Sequence, residues 1–180
     1  MSHPGDVSAV AALLASGSVA AADIRAVIGK TEGNGGLNDF TRGYFIQSLM
    51  HLLAAWTGEA PDALAARIPC MLSGGTEGVL SPHAVILSAT EAGEAIPGRG
   101  LAVATAFGPT LQPDAMGTDA HIAAVTATVR RAMAEGGIAD PGLVFVKTPA
   151  GSLAGMARAR ASAALGAAVA LGDVPAARAT

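Results

Sequence analysis

Lysine and serine side chains occur in this sequence where short apolar runs end. Lys30 follows the run at 24–28, Lys147 follows the run at 143–146, and Ser73 follows a third run. The carboxyl ends of strands are where α/β folds place reactive groups. A lysine whose pKa is lowered there by burial or a neighbouring cation can serve as a general base and deprotonate a serine. These residue types therefore favour nucleophilic attack on a carbonyl carbon.

Two arginines and two glycines complete the candidate set. Arg42 and Arg160 each present a forked pair of donors that suits a planar carbonyl or imide edge. Gly74 and Gly75 follow Ser73 and allow backbone N–H groups to approach a substrate oxygen. Plainer interpretations stay open at this point. A lysine after a strand is usually a solvated charge, an arginine in a first helical turn is usually a surface residue, and a serine beside glycines often belongs to a turn.

Other kinds of site do not fit the spacing. The string IGKT at 28–31 ends like a phosphate-binding loop, but that motif requires a glycine at position 24, where isoleucine stands. The four histidines are scattered, and neither a His-x-x-x-His nor a Cys-x-x-Cys pattern occurs, so a structural zinc site is not expected. Asp39, Glu32 and Glu77 are expected to hold loops rather than to perform acid–base chemistry. Met50, Trp56 and Cys70 are expected in the core.

Composition narrows the class of protein. Hydrophobic residues make up 51% of the 180 residues, enough for one large domain or two small ones. A formal net charge of -3 and 3% aromatic residues argue against binding nucleic acid. No apolar stretch approaches the ~20 residues of a membrane span, and the first residues do not read as a secretory signal. With a single cysteine, the expected setting is a reducing one, and we expect a cytoplasmic protein.

Periodicity and turn residues predict the elements that position these side chains. The pattern is of the α/β class, with helices bounded by glycines and strands leading into the lysines and Ser73. After the glycine-dense turn at 29–36, Asn38 or Asp39 is expected to cap a helix that ends at Gly58. The other predicted helices cover 7–16, 61–67, 121–135 and a segment from near Arg160 to Gly172. The predicted strands cover 24–28, 68–72, 84–89, 101–107 and 143–146.

The order of elements repeats once along the chain. Each copy has a helix, a glycine, a strand ending in Lys-Thr, a glycine-containing loop and a second helix carrying an arginine. Matching element order in two copies is stronger evidence than any single motif. The polar segment near 92–100 is expected to separate them. We therefore expect one unit at 1–95, with Lys30, Arg42 and Ser73, and an incomplete second unit at 96–180, with Lys147 and Arg160.

Two long strings resemble signatures of a known family. GKTEGNG at 29–35, followed by Asn38, Asp39 and Arg42, is similar to the first-repeat signature of the cyanuric acid hydrolases and barbiturases. MLSGGTEGVLSPH at 71–83 is similar to a second signature of that family, and 156–160 with the following helix is similar to its second repeat. The resemblance extends over essentially the whole chain.

The resemblance implies a fold, a reaction and roles for residues. Family members have three similar α/β units around a pseudo-threefold axis, the Toblerone fold, and open the ring of a cyclic ureide or imide with a lysine-activated serine. The resemblance assigns the general base to Lys147. It gives Lys30, Ser73 and the arginines Arg42 and Arg160 the holding and polarising of substrate carbonyls. No cofactor is implied for this chain, because the family's metal site lies near the third unit.

One departure from the family pattern decides the expected assembly. Ser73 follows Lys30 by 43 positions, and the same offset from Lys147 places the nucleophilic serine near position 190, beyond Thr180. Ser152 and Ser162 do not occupy an equivalent place. The favoured hypothesis is a split enzyme, in which a second chain supplies the rest of the second unit and the third. The alternatives are a homo-oligomer that uses Ser73, a ligand-binding or regulatory remnant without catalysis, and a truncated reading frame. The sequence does not distinguish cyanuric acid from barbiturate.

Overall fold

A computed structural model describes residues 1–36, 38–75, 79–89, 101–149 and 155–179. The chain divides into two compact units, Met1–Val103 and Ala104–Thr180. The expected boundary between residues 95 and 96 lies outside the described residues, as do Glu77 and Ser152. Each unit is a separate body with its own helices.

The first unit alternates helices and strands much as the sequence predicts. Its elements in chain order are α1 (Ser8–Ala15), β1 (Ile24–Thr31), α2 (Thr41–Thr57), α3 (Pro61–Arg67), β2 (Cys70–Gly74) and β3 (His83–Ser88). The predicted helix at 61–67 matches α3. Strand β1 continues beyond its apolar run through Lys30 and Thr31, and β2 begins two residues later than predicted and includes Ser73. The candidate side chains are therefore held by strand backbone and not by loops.

The three strands form one sheet in the order β2-β1-β3. β1 and β2 are parallel, with Lys30 paired to Ser73, and β1 and β3 are antiparallel, with Lys30 paired to His83. Parallel neighbours require a crossover connection, which here contains α2 and α3. This crossover brings the ends of β1 and β2 side by side, so residues 43 positions apart become neighbours.

Helix α2 covers the sheet with an apolar stripe. Its buried residues Phe45, Leu49 and Leu53 recur every four positions and join Ile24 and Val27 of β1 in one core cluster. All five side chains are no more than 1% exposed. Burying a side chain of this size contributes about 1.5–3 kcal/mol each, so this layer dominates the stability of the first unit.

Predictions at the ends of α2 and in the core are mostly confirmed. Met50 and Cys70 are buried as expected, but Trp56 is 51% exposed, so that expectation was wrong. Trp56 lies in the last turn of α2, where the apolar stripe runs past the buried core. The helix ends at Gly58 in a left-handed conformation, with φ 77°. The residue preceding its first turn is Phe40 rather than Asn38 or Asp39, although the Asp39 carboxylate accepts the Thr41 N–H bond.

The second unit contains two long helices, α4 (Asp119–Glu135) and α5 (Met156–Leu171). Val125 and Val129 of α4 pack with Ala163 of α5 in a small core. The helices approach closely at Gly166, where the Thr126 hydroxyl donates to the Gly166 carbonyl at 3.0 Å. Both helices were predicted, and α5 ends at Gly172 as expected, with φ 84°.

Two predicted strands of the second unit do not form. Neither 101–107 nor 143–146 is a strand in the described part of the chain, so both predictions were wrong. A strand exists by pairing, and in the first unit β1 pairs with strands that follow it in sequence. The separation between paired residues of β1 and β2, which is 43 positions for Lys30 and Ser73, would place a partner of 143–146 outside the 180 residues of this sequence. Burial nevertheless alternates along 143–149, with Val144 and Val146 packed against the small core and Phe145 exposed.

The architecture is mixed α/β, as predicted. A helix long and apolar enough to span a membrane is not found within the described ranges.

Candidate active site

Lys30 and Ser73 lie side by side at the ends of two parallel strands. The Lys30 Nζ donates to Ser73 Oγ and to the Gly74 carbonyl oxygen, both at 3.3 Å. Lys30 is half-buried and Ser73 is exposed. Both distances are long for such bonds. The structure therefore brings together two of the predicted site residues, the Lys30 amine and the Ser73 hydroxyl.

The Asp39 carboxylate holds the glycine-rich loop beside the end of β2. Asp39 accepts hydrogen bonds from the Gly35 N–H at 2.8 Å and from the Thr41 N–H at 3.0 Å, and the Thr41 hydroxyl also donates to it. A Cβ at Gly74 would lie 1.9 Å from Asp39 Oδ2, and one at Gly33 would lie 2.4 Å from Oδ1. Gly33 and Gly74 thus form a socket for the Asp39 carboxylate, and a side chain at either position would occupy the space that the carboxylate takes. Asp39 holds the loop, in agreement with the sequence interpretation.

The socket keeps Asp39 ionised. Burial works to raise the pKa of its carboxyl, but the hydrogen bonds from the Thr41 hydroxyl and from the Gly35 and Thr41 N–H groups outweigh it. The positive charge of Arg42 acts in the same direction. The net result is a pKa below the ordinary value. A neutral-pH site therefore contains a fixed negative charge beside the end of β2.

Thr31 connects Asp39 to the strand that carries Lys30. Its side chain is fully buried, its hydroxyl oxygen lies 3.0 Å from that of Thr41, and it donates to the Ser73 carbonyl at 3.5 Å. The chain of polar contacts thus runs from Asp39 through Thr41 and Thr31 to Ser73. Neither Thr31 nor Thr41 was among the site residues predicted from the sequence. The signal for Thr31 was present, since a threonine follows the lysine in both copies of the repeat.

Arg42 stands in the first turn of α2 at the edge of this network. It is half-buried, and its Nη2 donates to the Gly36 carbonyl at 3.3 Å. One long bond engages only part of a guanidinium with five N–H donors, so the fork retains donors for a carbonyl ligand. Gly75, with φ 79°, is buried after β2. The residues that follow it, 76–78, lie outside the described residues.

The candidates of the second unit are exposed. Lys147 lies in the segment 143–149, along which exposed and half-buried residues alternate, and Arg160 lies in the second turn of α5. Thr148, which follows Lys147, contacts the fully buried His121, with 2.7 Å between Thr148 Oγ1 and His121 Nε2. In the sequence His121 is one of the four scattered histidines, for which no site was predicted.

The described residues offer no ligand set for the metal that the family resemblance implies. They bring no group of three or more His, Cys, Asp or Glu side chains together.

Comparisons with known sequences identify relatives of this chain. Residues 1–155 match the family model described as amidohydrolase ring-opening protein. A cyanuric acid amidohydrolase from Methylobacterium is 45% identical over 199 residues, covering 98% of this chain and 52% of the relative. One from Bradyrhizobium diazoefficiens is 40% identical over 195 residues, covering 94% and 53%. A cyclic amide hydrolase from Azorhizobium caulinodans is 45% identical over 142 residues, covering 78% and 39%.

Solved structures agree with the sequence relatives. One cyanuric acid hydrolase superposes with a TM-score of 0.81 at 33% identity, covering 99% of this chain and 56% of its own. Another, from A. caulinodans, gives a TM-score of 0.77 at 37% identity, covering 96% and 53%. The chain spans about half the length of these relatives. The predicted Toblerone-type α/β fold, incomplete relative to the full-length proteins, is confirmed. The chain belongs to the family of ring-opening amidohydrolases that includes the cyanuric acid amidohydrolases.

Proposed function

We propose that this chain forms about half of an amidohydrolase that opens a cyclic ureide or imide, with a second chain supplying the remainder. The observation that carries the proposal is the Lys30–Ser73 pair at the ends of two parallel strands. The names of the relatives support a cyclic amide as substrate, with cyanuric acid as the first ring to test. Barbiturate, which the sequence resemblance implies, is the second. The chain spans about half the length of these relatives.

The first unit holds the substrate. The Lys30 ammonium and the Ser73 hydroxyl, 3.3 Å apart, donate to one ring carbonyl oxygen, and Arg42 donates to a neighbouring carbonyl. The Gly74 and Gly75 N–H groups add neutral donors where the chain leaves β2. Such donors polarise carbonyls and stabilise the negative charge that develops on oxygen during attack. A planar ring with alternating carbonyl and N–H groups matches this set of forked donors.

The second unit supplies the base. Lys147, as a neutral amine, accepts the proton of a serine hydroxyl, and the serine oxygen attacks a ring carbonyl carbon. The C–N bond of the ring then breaks, and the leaving nitrogen takes the proton from the Lys147 ammonium. Water, deprotonated by the same amine, cleaves the resulting ester and restores the serine. Arg160 holds a further carbonyl. The spacing of 43 positions between Lys30 and Ser73, applied to Lys147, places this serine near position 190. In the proposal it belongs to the part that the second chain contributes.

Complementation tests the proposal directly. The chain is co-expressed with the C-terminal half of the Methylobacterium relative, beginning where their similarity ends. We expect a stable complex that consumes cyanuric acid, measured by liquid chromatography of the ring and its open product. A complex that forms and leaves both rings intact contradicts the proposed activity. Full turnover by the 180-residue chain alone contradicts the need for a second chain.

Variants of the complex test the assigned roles. Lys147→Met is expected to lower kcat by about 10²–10⁴-fold, the usual contribution of a general base. Arg42→Met is expected to raise KM, because it removes a carbonyl donor. Arg178→Met is the matched control, since this exposed arginine is outside the candidate set. Equal kcat values for Lys147→Met and the control contradict the role of Lys147.

The Lys30–Ser73 contact also favours a second candidate. In a homo-oligomer Ser73 itself is the nucleophile and Lys30, 3.3 Å away, is its base. This version gives a homogeneous oligomer with activity and without a second chain. Ser73→Ala abolishes turnover there, whereas in the two-chain enzyme it removes one carbonyl donor and leaves a nucleophile elsewhere. Ring binding without hydrolysis, seen as a ligand-induced rise in Tm in both assemblies, identifies a binding protein.

A further inference from the structure

His121 is a fully buried histidine with both ring nitrogens engaged. It lies in the first turn of α4, its Nδ1 accepts the Gly117 N–H bond at 3.2 Å, and its Nε2 lies 2.7 Å from Thr148 Oγ1. Because Nδ1 accepts from a backbone amide, the proton of the neutral ring belongs to Nε2. His121 therefore donates to Thr148. Burial lowers the pKa of His121, which favours this neutral form at neutral pH.

The threonine that receives this bond directly follows Lys147. Along 143–149 burial alternates, so Thr148 is half-buried and Lys147 is exposed. Successive side chains of an extended segment point to opposite sides. A hydrogen bond that fixes the inward direction of Thr148 therefore also fixes the outward direction of Lys147. The bond from His121, together with the packing of Val144 and Val146 against the small core, sets the rotation of this segment about its own axis.

The first unit has the same lysine–threonine order with a different attachment. Thr31 follows Lys30 and is fully buried, and its hydroxyl is held by Thr41 of α2 and by the Ser73 carbonyl. Strand pairing on both sides also fixes β1. The segment around Lys147 has no strand pairing among the described residues, so side-chain contacts orient it. The His121–Thr148 bond is one of them, beside the packing of Val144 and Val146.

We propose that His121 is a positioning residue for Lys147 and acts through Thr148. The proposal deepens the proposed function, because it concerns the lysine assigned there as general base. Loss of the His121–Thr148 bond lets the segment rotate, so the amine samples directions other than the productive one. Such a residue does not touch the substrate, and its effect is on the environment and direction of one amine.

The lysine content of the chain makes a direct measurement possible. Lys30 and Lys147 are the only lysines in the sequence, so acetic anhydride labels them and the N-terminal amine, and peptide mass spectrometry separates the three. Labelling rates are measured from about pH 6 to about pH 11, a range that includes the ordinary pKa of lysine. They give the reactivity and the pKa of each amine. Lys30 serves as the internal reference within every sample.

Three variants separate a positioning role from a general loss of structure. Thr148→Val keeps the volume and removes the hydroxyl, whereas Thr148→Ser keeps the hydroxyl. His121→Asn keeps an acceptor for the Gly117 N–H and removes the donor to Thr148. Far-UV circular dichroism and Tm identify any variant that does not fold, in which case the Thr148 pair alone decides.

We expect Thr148→Val and His121→Asn to change the labelling rate of Lys147 by about two- to tenfold, the population change that loss of one hydrogen bond produces. The rate at Lys30 stays constant, and Thr148→Ser restores the original behaviour. Folded variants in which Lys147 keeps its rate and pH profile overturn the proposal. So does an effect of His121→Asn that Thr148→Val does not reproduce.

This outcome is independent of the proposed activity. Labelling reports Lys147 whether or not the complemented enzyme opens a ring, so failure of the proposed function leaves the positioning result readable. If ring opening is observed, Thr148→Val is expected to lower kcat with little change in KM, because the base and not the carbonyl donors is displaced. A change confined to KM contradicts the positioning role.

Discussion

Gly74→Ala is a substitution that the first unit is expected to accept poorly. The added Cβ would lie 1.9 Å from Asp39 Oδ2, whereas real Cβ contacts under 3.0 Å essentially do not occur. The carboxylate must therefore retreat by 3.0 − 1.9 = 1.1 Å or more. The same Oδ2 accepts the Gly35 N–H bond at 2.8 Å. A retreat of this size stretches that bond beyond useful length, so the substitution releases the glycine-rich loop from Asp39.

The cost has two parts. A hydrogen bond to a charged acceptor contributes about 1.5–3 kcal/mol, and roughly half of that applies here because Asp39 is only partly buried. Overpacking adds about 1–3 kcal/mol, because the Gly35 Cα also stands 3.1 Å from the new Cβ. We expect the free energy of unfolding of the first unit to fall by about 2–4 kcal/mol. That corresponds to a Tm lower by about 10–30 °C for a domain of this size.

The assay follows the fluorescence of Trp56, the only tryptophan, which lies on α2 of the first unit. Gly43→Ala is the matched control, because a Cβ there meets nothing within 4 Å and alanine should stabilise α2 by about 0.5–1 kcal/mol. In an Asp39→Ala background the Gly74→Ala cost should shrink to the Gly35 contact alone. An equal cost in both backgrounds, or a Tm like that of Gly43→Ala, refutes the socket.

Three further predictions concern charge and packing. The lowered pKa of Asp39 stabilises the fold above the ordinary value of about 3.9, and this contribution is lost as pH falls through the lower folded value. Asp39→Asn should therefore flatten the acid side of a Tm-against-pH curve. Arg67→Met removes a two-bond ion pair with Glu59 whose partners are 35% and 39% exposed, so urea unfolding should show only a small loss of stability, and the loss should shrink at high salt. Gly166→Ala places a Cβ 2.7 Å from that of Val125, and circular dichroism should show net destabilisation of about 1–2 kcal/mol despite the better helix propensity of alanine.

Local patterns predicted the helices and the sheet of the first unit well. The apolar stripe at 45, 49 and 53 and the glycine at position 58 specify α2 without reference to the rest of the fold. Lys30 and Ser73 were predicted as strand-end residues because both follow apolar runs. Their pairing distance was not predictable from periodicity, since it depends on the register of two strands separated by a crossover.

The contacts that secure the site depend on close approach and were not predictable in the same way. Nothing in the sequence says that Gly33, Gly35 and Gly74 surround one carboxylate, because glycine is equally suited to turns and to backbone flexibility. His121 shares this difficulty. A single histidine on an amphipathic helix is ordinarily read as a packing residue, and its partner Thr148 is 27 positions away.

The segment 143–147, which is not a strand in the described part of the chain, and the expected serine near position 190 are two aspects of one structural requirement. In the first unit every β1–β2 pair is separated by 43 positions, so the strand that supplies Ser73 is also the ladder partner of the strand that supplies Lys30. Applied to the second unit, this offset pairs 143–147 with 186–190. A second chain that contributes the serine must then also contribute the missing ladder. Hydrogen–deuterium exchange of the complemented complex should show new protection of the amides at 143–147. Ring opening without that protection would mean that the serine reaches Lys147 from a loop rather than from a paired strand.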